Sequence, residues 1–170
     1  MDSLKADLFS NDRETAISAS KDLAKTGSED VLFFLIDLLE SEKPGIRNLA
    51  ALSLREIGDN RAIPSLLRSI FKPENKSYNG TLVYALQTLD CTHLLVDIFK
   101  ILFYESFEAK MGAYAILNEQ EFEFSSANLM EIRRMWKECS SAPSAENGFK
   151  DPDTKAIIKD AYEGFMEYLK

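Results

Sequence analysis

Apolar residues recur at intervals of three and four positions through most of the chain, which is the spacing of amphipathic helices. The clearest stretch runs from Pro44 to Phe71. It predicts a first helix with one apolar face, formed by Ala50, Ala51, Leu54 and Ile57. Gly58 can take the left-handed conformation that ends such a helix. A second apolar face follows, formed by Ile63, Leu66, Leu67 and Ile70. The sequence therefore predicts a helix–turn–helix pair with small residues on its first helix.

The same pattern repeats along the chain. Gly27 takes the place of Gly58 in a copy that lies 31 positions upstream, and a third pair lies 32 positions downstream around Leu89. A fourth pair is less regular, because the segment 118–126 replaces its tight turn. Helix pairs of this length cannot bury their apolar faces alone and must stack on neighbours. We therefore expect about four stacked helix pairs within residues 1–141.

The last part of the chain has a different composition. Residues 142–152 are rich in small and loop-forming residues and predict a linker. Asp151 and Pro152 then fit the N-cap and the first turn of a helix. That helix, over residues 153–170, has an apolar face made by Ile157, Ile158, Ala161, Phe165 and Leu169. We expect it to pack on the helix pairs as a lid within the same domain, and a mobile arm that closes on a partner is the alternative.

One segment carries a specific motif. From Arg47 to Leu66 the chain reads Arg-x-x-Ala-Ala-x-x-Leu-x-x-Ile-Gly-Asp-x-Arg-Ala-Ile-Pro-x-Leu, which closely resembles the HEAT-like repeats of the phycobilisome-lyase type. The resemblance extends over residues 12–141, although its third copy has residues 90–93 (Asp-Cys-Thr-His) at the Gly-Asp-x-Arg turn. It implies an all-α fold, a short right-handed α-solenoid of stacked helix pairs with a C-terminal capping helix. It also implies that the second helices line a concave face that binds partners.

The 170-residue chain is acidic, with 28 Asp and Glu against 20 Lys and Arg and a formal charge of −8. This charge repels phosphate backbones and suits a basic partner. We therefore expect a basic protein as the partner, no nucleic acid, and a monomer when the chain is free. The longest apolar run, Val31–Ile36, is too short to span a bilayer, so no membrane contact is expected. Cys91 and Cys139 form no CxxC pair, which favours reduced thiols and a cytoplasmic location.

Little in the sequence points to catalysis. His93 is the single histidine and lies beside Cys91, and these two residues fall short of the roughly four ligands of a structural zinc site. Phosphate-binding and metalloprotease motifs do not occur in the sequence. We therefore expect no enzyme activity, no metal and no cofactor.

Two surfaces are candidates for partner binding. The first consists of second-helix residues left over after the core is assigned: Phe34, Asp37, Glu40, Asp97, Tyr104 and Glu105. The second is the segment 118–126 with the acidic position that precedes it: Glu108, Glu119, Glu121, Phe122 and Glu123. Carboxylates among aromatic rings could meet a basic surface, with the rings as anchors. The alternative is that Phe122 and Phe124 pack into the core while the glutamates remain solvated.

These features favour a stand-alone, non-catalytic protein-binding module that occludes a basic partner. Its most specific form is a bacterial immunity protein, an inhibitor that neutralises a cognate toxin such as a nuclease, as in a toxin–antitoxin pair. One alternative is a HEAT-like scaffold or chaperone subunit of a larger assembly. Another is a lyase-type factor that attaches a cofactor.

Overall fold

The computed structural model describes residues 1–169, which contain helices and no strand. The chain divides into two compact units: unit 1 spans Met1–Asp90, and unit 2 begins at Cys91. The α-helices of unit 1 are α1 Asp2–Asp7, α2 Arg13–Thr26, α3 Glu29–Leu38, α4 Pro44–Ile57, α5 Ile63–Ile70 and α6 Gly80–Leu86. Those of unit 2 are α7 Leu95–Tyr104, α8 Phe107–Glu119, α9 Ser126–Ser141 and α10 Pro152–Met166. Short 3₁₀ turns lie at Asn60–Ala62, Pro73–Asn75 and Glu167–Leu169.

The helix ends in unit 1 follow the expected capping chemistry. The carboxylate of Asp12 accepts a 3.0 Å hydrogen bond from the Thr15 amide at the start of α2, which satisfies one of the unpaired donors of the first turn. Gly27 ends α2 with φ 55°, and Gly58 ends α4 with φ 69°. These left-handed positions favour glycine, since other residues are strained there. The predicted turns at both glycines are therefore confirmed.

Unit 1 is built by stacking the first helix of each pair. Helix α4 packs against both α2 and α6, while α3 contacts α4 and α5 contacts α6. Small buried residues, Ala19, Ala50 and Ala51, let the backbones of α2 and α4 approach closely. Between the same two helices the Ser20 and Ser53 hydroxyls share a hydrogen bond of 2.8 Å. The predicted fold class, an all-α fold of stacked helix pairs, is confirmed.

The connection from α5 to α6 is held by buried asparagines. Asn75 Nδ2 donates a 2.8 Å hydrogen bond to the Ser69 carbonyl oxygen, and Asn79 Nδ2 donates a 3.2 Å bond to the Ile70 carbonyl oxygen. Both side chains are almost fully buried. They donate to two carbonyl groups in the last turn of α5, which have no partner within the helix and are not capped by a glycine. Helix α6 ends at Leu86, so the predicted core residue Leu89 lies just beyond the helix, although it is buried.

Unit 2 has a core rich in aromatic rings. Helix α7 packs against α8 and α9, and α10 packs against the same two helices, as the predicted capping helix should. The segment between α9 and α10 is itself packed, because Phe149 is buried with its ring 5.1 Å from that of Trp136 and 6.4 Å from that of Phe103.

The predicted domain boundaries, with a solenoid over 1–141, a linker over 142–152 and a helix over 153–170, stay a prediction. In the structure α10 begins at Pro152, and a 3₁₀ turn continues from its end to Leu169. Residue 170 lies outside the described residues. Pro152 stands in the first turn of α10, and the Asp151 carboxylate caps it by accepting a 2.8 Å bond from the Thr154 amide, as predicted.

Candidate functional site

The stacked first helices of unit 1 leave an open groove with a volume of about 1040 Å³. Helices α2, α4 and α6 line it, together with the segment that joins α1 to α2. Its aliphatic lining residues are Leu8, which precedes α2, and residues of α2 and α4: Ala16, Ile17, Ala24, Ile46, Leu49 and Leu52. We call this feature the first-helix groove.

Part of the apolar surface of the groove is open to solvent. Leu52, in the middle of α4, is 38% exposed, and Tyr84 on α6 is 45% exposed. Two lining residues with small side chains, Ser20 on α2 and Ser53 on α4, are hydrogen-bonded to each other at 2.8 Å. Leu52 therefore leaves part of its hydrophobic side chain available for contact in the groove.

Cationic side chains surround this apolar surface. Five basic residues line the first-helix groove: Arg13, Lys21, Lys25, Lys43 and Arg55. Among the described residues Glu56 is the one carboxylate that lines it. Lys25 is paired with Asp22 at 2.8 Å, whereas Arg13, Lys21 and Lys43 form no ion pair within residues 1–169. The groove is therefore a positive region on an acidic chain.

Arg55 is held in place across the contact of α4 with α6. Its Nη1 donates a 2.8 Å hydrogen bond to the carbonyl oxygen of Tyr84, and its guanidinium carbon lies 3.9 Å from the centroid of the Tyr84 ring. The Thr88 hydroxyl donates a 3.0 Å bond to the Arg55 carbonyl oxygen. These contacts orient a cation and an aromatic ring at one edge of the first-helix groove.

Asn48 adds a polar atom to the lining. Its Oδ1 is buried and accepts no hydrogen bond within the part of the chain that the structure describes. A buried acceptor without a donor costs about 1–3 kcal/mol. Because this atom is buried, a ligand in the groove reaches it only if the Asn48 side chain moves.

The predicted second-helix residues of unit 1 lie outside the groove. The Phe34 ring is half-buried, 6.5 Å from the Phe9 ring and 4.9 Å from Lys5 Nζ. Asp37 is exposed. Glu40 is exposed and pairs with two basic residues of α5 and its C-terminal end, Lys72 and Arg68, the latter at 3.6 Å.

The predicted second-helix residues of unit 2 are largely engaged within that unit. Asp97 pairs with Lys100 at 3.3 Å. The Tyr104 hydroxyl donates a 3.1 Å hydrogen bond to Glu138 Oε2, and burial, followed by the nearby Cys139 and Glu138, raises the pKa of Tyr104 above its ordinary value. Glu105 is buried. A partner can therefore reach few of these groups without rearranging them.

The acidic segment between α8 and α9 is exposed at its carboxylates. Glu108 is exposed in the first turn of α8, and Glu119, Glu121 and Glu123 are exposed at and after its end. The Glu123 amide donates a 2.9 Å hydrogen bond to the Thr92 carbonyl oxygen, and its Oε2 lies 3.6 Å from His93 Nδ1.

The aromatic residues of the same segment pack against α10. The half-buried rings of Phe122 and Phe124 lie 5.9 and 5.7 Å from the Phe165 ring on α10, in edge-to-face geometry. This arrangement corresponds to the alternative in which the rings pack and the glutamates are solvated. That the predicted residues contact a partner stays a prediction.

The first-helix groove is not among the surfaces that the sequence pattern predicts. A signal was present, because Arg13, Ile17 and Lys21 recur at four-residue spacing on α2. Such spacing shows that residues share a helix face. It does not show whether that face is open, and the first helices were assigned to stacking alone.

Comparison with known protein families gives one match. A model of HEAT repeats matches residues 2–87, which include α1 to α6. No curated protein matches the chain. No helix among residues 1–169 is long and apolar enough to cross a membrane.

Proposed function

Because the chain belongs to the HEAT-repeat family, we propose that it is a non-catalytic protein-binding module that holds a partner in the first-helix groove. HEAT repeats commonly mediate contacts between proteins, and the family is generally a non-catalytic scaffold. Stacked repeats offer an extended surface to a partner, so the open question is which surface this chain uses.

The exposed Leu52 in the centre of the first-helix groove carries the proposal. An apolar centre with a polar, charged rim is the usual anatomy of a protein interface. Here Leu52 is the exposed apolar residue, Tyr84 lies at one edge, and Lys21 and Lys43 belong to the charged surround. Aromatic and aliphatic anchors at the centre of such a patch account for most of the binding energy.

The test is capture of the partner from native cells with tagged wild-type chain and two variants. Leu52→Glu places a charge at the centre of the groove, while Met130→Glu makes the same change at an exposed residue of α9. We expect Leu52→Glu to lose the partner and Met130→Glu to retain it. Retention of the partner by a folded Leu52→Glu variant would contradict binding in the groove.

A second candidate is an inhibitor that occludes a basic partner, in its most specific form an immunity protein against a toxin such as a nuclease. Its support is the set of exposed carboxylates Glu119, Glu121 and Glu123 on a segment held down by its aromatic residues. A loop that is already ordered in the free protein loses little conformational entropy on binding.

The inhibitor version is tested by changing Glu119, Glu121 and Glu123 together to Gln. We expect a captured basic partner to bind the triple variant much more weakly and to regain its own activity in the mixture. Unchanged affinity would remove the acidic segment from the interface. Capture of many subunits of one assembly at similar amounts would instead favour a scaffold role.

A further inference from the structure

We propose that the ligand of the first-helix groove is an acidic amphipathic helix of a partner protein. This inference rests on the proposed function and adds the chemistry of the partner segment. It concerns unit 1 alone and is independent of the acidic segment between α8 and α9.

The charge of the groove is opposite to that of the chain. The whole sequence has an excess of acidic residues, 28 against 20, yet five basic side chains and one carboxylate line the described groove. Elsewhere in unit 1, by contrast, Arg61 pairs with Glu29 and Asp59. In the groove Arg13, Lys21 and Lys43 have no such ion pair in the described part of the chain. Carboxylates on a partner would complement them.

The dimensions suit a short helix. Arg13 and Lys25 mark the two ends of the α2 wall and stand twelve residues apart, which corresponds to about 18 Å at the helical rise of 1.5 Å per residue. A partner helix of about three turns has that length. Its apolar stripe would lie on Ile17, Leu49 and Leu52, while its acidic flanks reach the surrounding cations.

The secondary structure of the partner follows from hydrogen bonding. A peptide that binds as an added β-strand needs a strand edge, and residues 1–169 contain no strand. An extended proline-rich peptide docks in grooves lined by several aromatic rings, and Tyr84 is the one aromatic residue that lines the described groove. A helix satisfies its own backbone groups and presents side chains at the i, i+3, i+4 and i+7 positions. A helix laid in an apolar groove is therefore the mode of recognition that fits.

Nucleic acid fits this lining less well. Binding of single strands relies on aromatic rings on which bases stack, and Tyr84 is the one aromatic residue that lines the described groove. The branched side chains of Ile17, Ile46 and Leu49 instead offer contacts to other aliphatic groups. We therefore favour a peptide as the ligand and include nucleic acid among the outcomes of the test.

The experiment measures binding of synthetic peptides to the full chain by fluorescence anisotropy. The probe is a labelled peptide of about 14 residues made of Glu and Leu, with the leucines at helical spacing. Comparison probes are the same composition with strictly alternating residues, a Lys and Leu version of the helical peptide, and short oligonucleotides. We expect the helical Glu peptide to bind more tightly than the other probes, with an affinity that falls as salt rises.

Charge reversal in the groove is the decisive variant. Lys21→Glu with Lys43→Glu should weaken binding of the acidic helix on the order of tenfold or more. The matched control, Lys150→Glu with Lys155→Glu, makes the same charge change at exposed residues of unit 2 that do not line the groove. It should leave the affinity within about twofold, because neither side chain lines the groove.

The outcomes separate the two proposals. Tighter binding of an oligonucleotide or of the Lys peptide would overturn the acidic helix. An equal loss of affinity for the acidic peptide in both charge-reversal variants would also overturn the proposal, since it would reflect the net charge of the chain. If Leu52→Glu releases the native partner while the acidic helix fails to bind, the groove remains the binding site and only the partner chemistry is wrong. If Leu52→Glu also retains the native partner, the proposed function fails.

Discussion

The guanidinium of Arg55 lies 3.9 Å from the centroid of the Tyr84 ring, and its Nη1 donates a 2.8 Å hydrogen bond to the carbonyl oxygen of the same residue. One side chain of α4 thus contacts both the ring and the backbone of α6. The contact fixes the edge of the first-helix groove and links a residue of that edge to the stability of unit 1.

Arg55→Ala should lower the free energy of unfolding by about 1–2 kcal/mol, because it removes a charged hydrogen bond and a partly exposed cation–π contact. The measurement is urea unfolding followed by circular dichroism. Arg133→Ala, at an exposed position of α9, is the control and should change the free energy by less than about 0.5 kcal/mol. Equal effects of the two changes would mean that the Arg55 contacts contribute no net stability.

Two glycines should respond in opposite directions to substitution by alanine. Gly148 has φ 75°, and a Cβ there would stand 2.6 Å from Thr154 Cγ2, so Gly148→Ala should destabilise by about 1–3 kcal/mol. Gly164 lies inside α10 with open space around it. Gly164→Ala should therefore stabilise by about 0.5–1 kcal/mol. Thermal unfolding of both variants checks the pair, and a shift of the same sign in both would contradict this account.

Stability should fall on the alkaline side through groups of unit 2. Burial is the main cause that raises the pKa of Tyr104 above 10.0 and that of the Cys139 thiol above 9.0. A group whose pKa is raised on folding stabilises the fold below its unfolded pKa, and that contribution is lost as pH rises. We therefore expect the urea midpoint to decrease from about pH 9 upwards.

The control for this pH dependence is the double variant Tyr104→Phe with Cys139→Ala, which removes both titrating groups. Its urea midpoint should fall less steeply between pH 9 and 11 than that of the unchanged chain. Tyr114 and Tyr162 also have raised pKa values, so part of the slope should remain. An unchanged slope would show that neither removed group titrates differently in the folded and unfolded states.

Phe165 should control the order of the acidic segment. Its ring meets those of Phe99, Phe122 and Phe124 at 5.4, 5.9 and 5.7 Å, and aromatic pairs of this kind contribute about 0.5–1.5 kcal/mol each. Phe165→Ala should speed amide hydrogen exchange at residues 120–125. Tyr168→Ala, which removes a ring that is 71% exposed, should have a smaller effect. Exchange in Phe165→Ala that stays as slow as in the unchanged chain would mean that the backbone bond at Glu123 is sufficient to hold the segment.

Much of unit 1 could be predicted because its signals are local. Pro44 and Gly58 mark the start and the end of α4 within one stretch of sequence, and Leu54 and Leu66 identify the buried faces of the pair. Connections without a glycine were harder to predict. The buried side chain of Asn75 bonds to the Ser69 carbonyl and thereby holds the α5–α6 connection, and polar residues in loops carry no periodic signal of burial.

The sequence by itself determined the all-α class and the glycine stops of α2 and α4, because periodicity and capping depend on residues that are near each other in the chain. It also determined that α4 has small residues, Ala50 and Ala51, where a neighbouring helix can stack closely. Only the tertiary structure decided which helix faces remain open. Lys21 and Lys43 lie 22 positions apart in sequence and line one groove because α2 stacks on α4. A local pattern cannot show this, since the exposure of a helix face depends on the neighbours that pack against it.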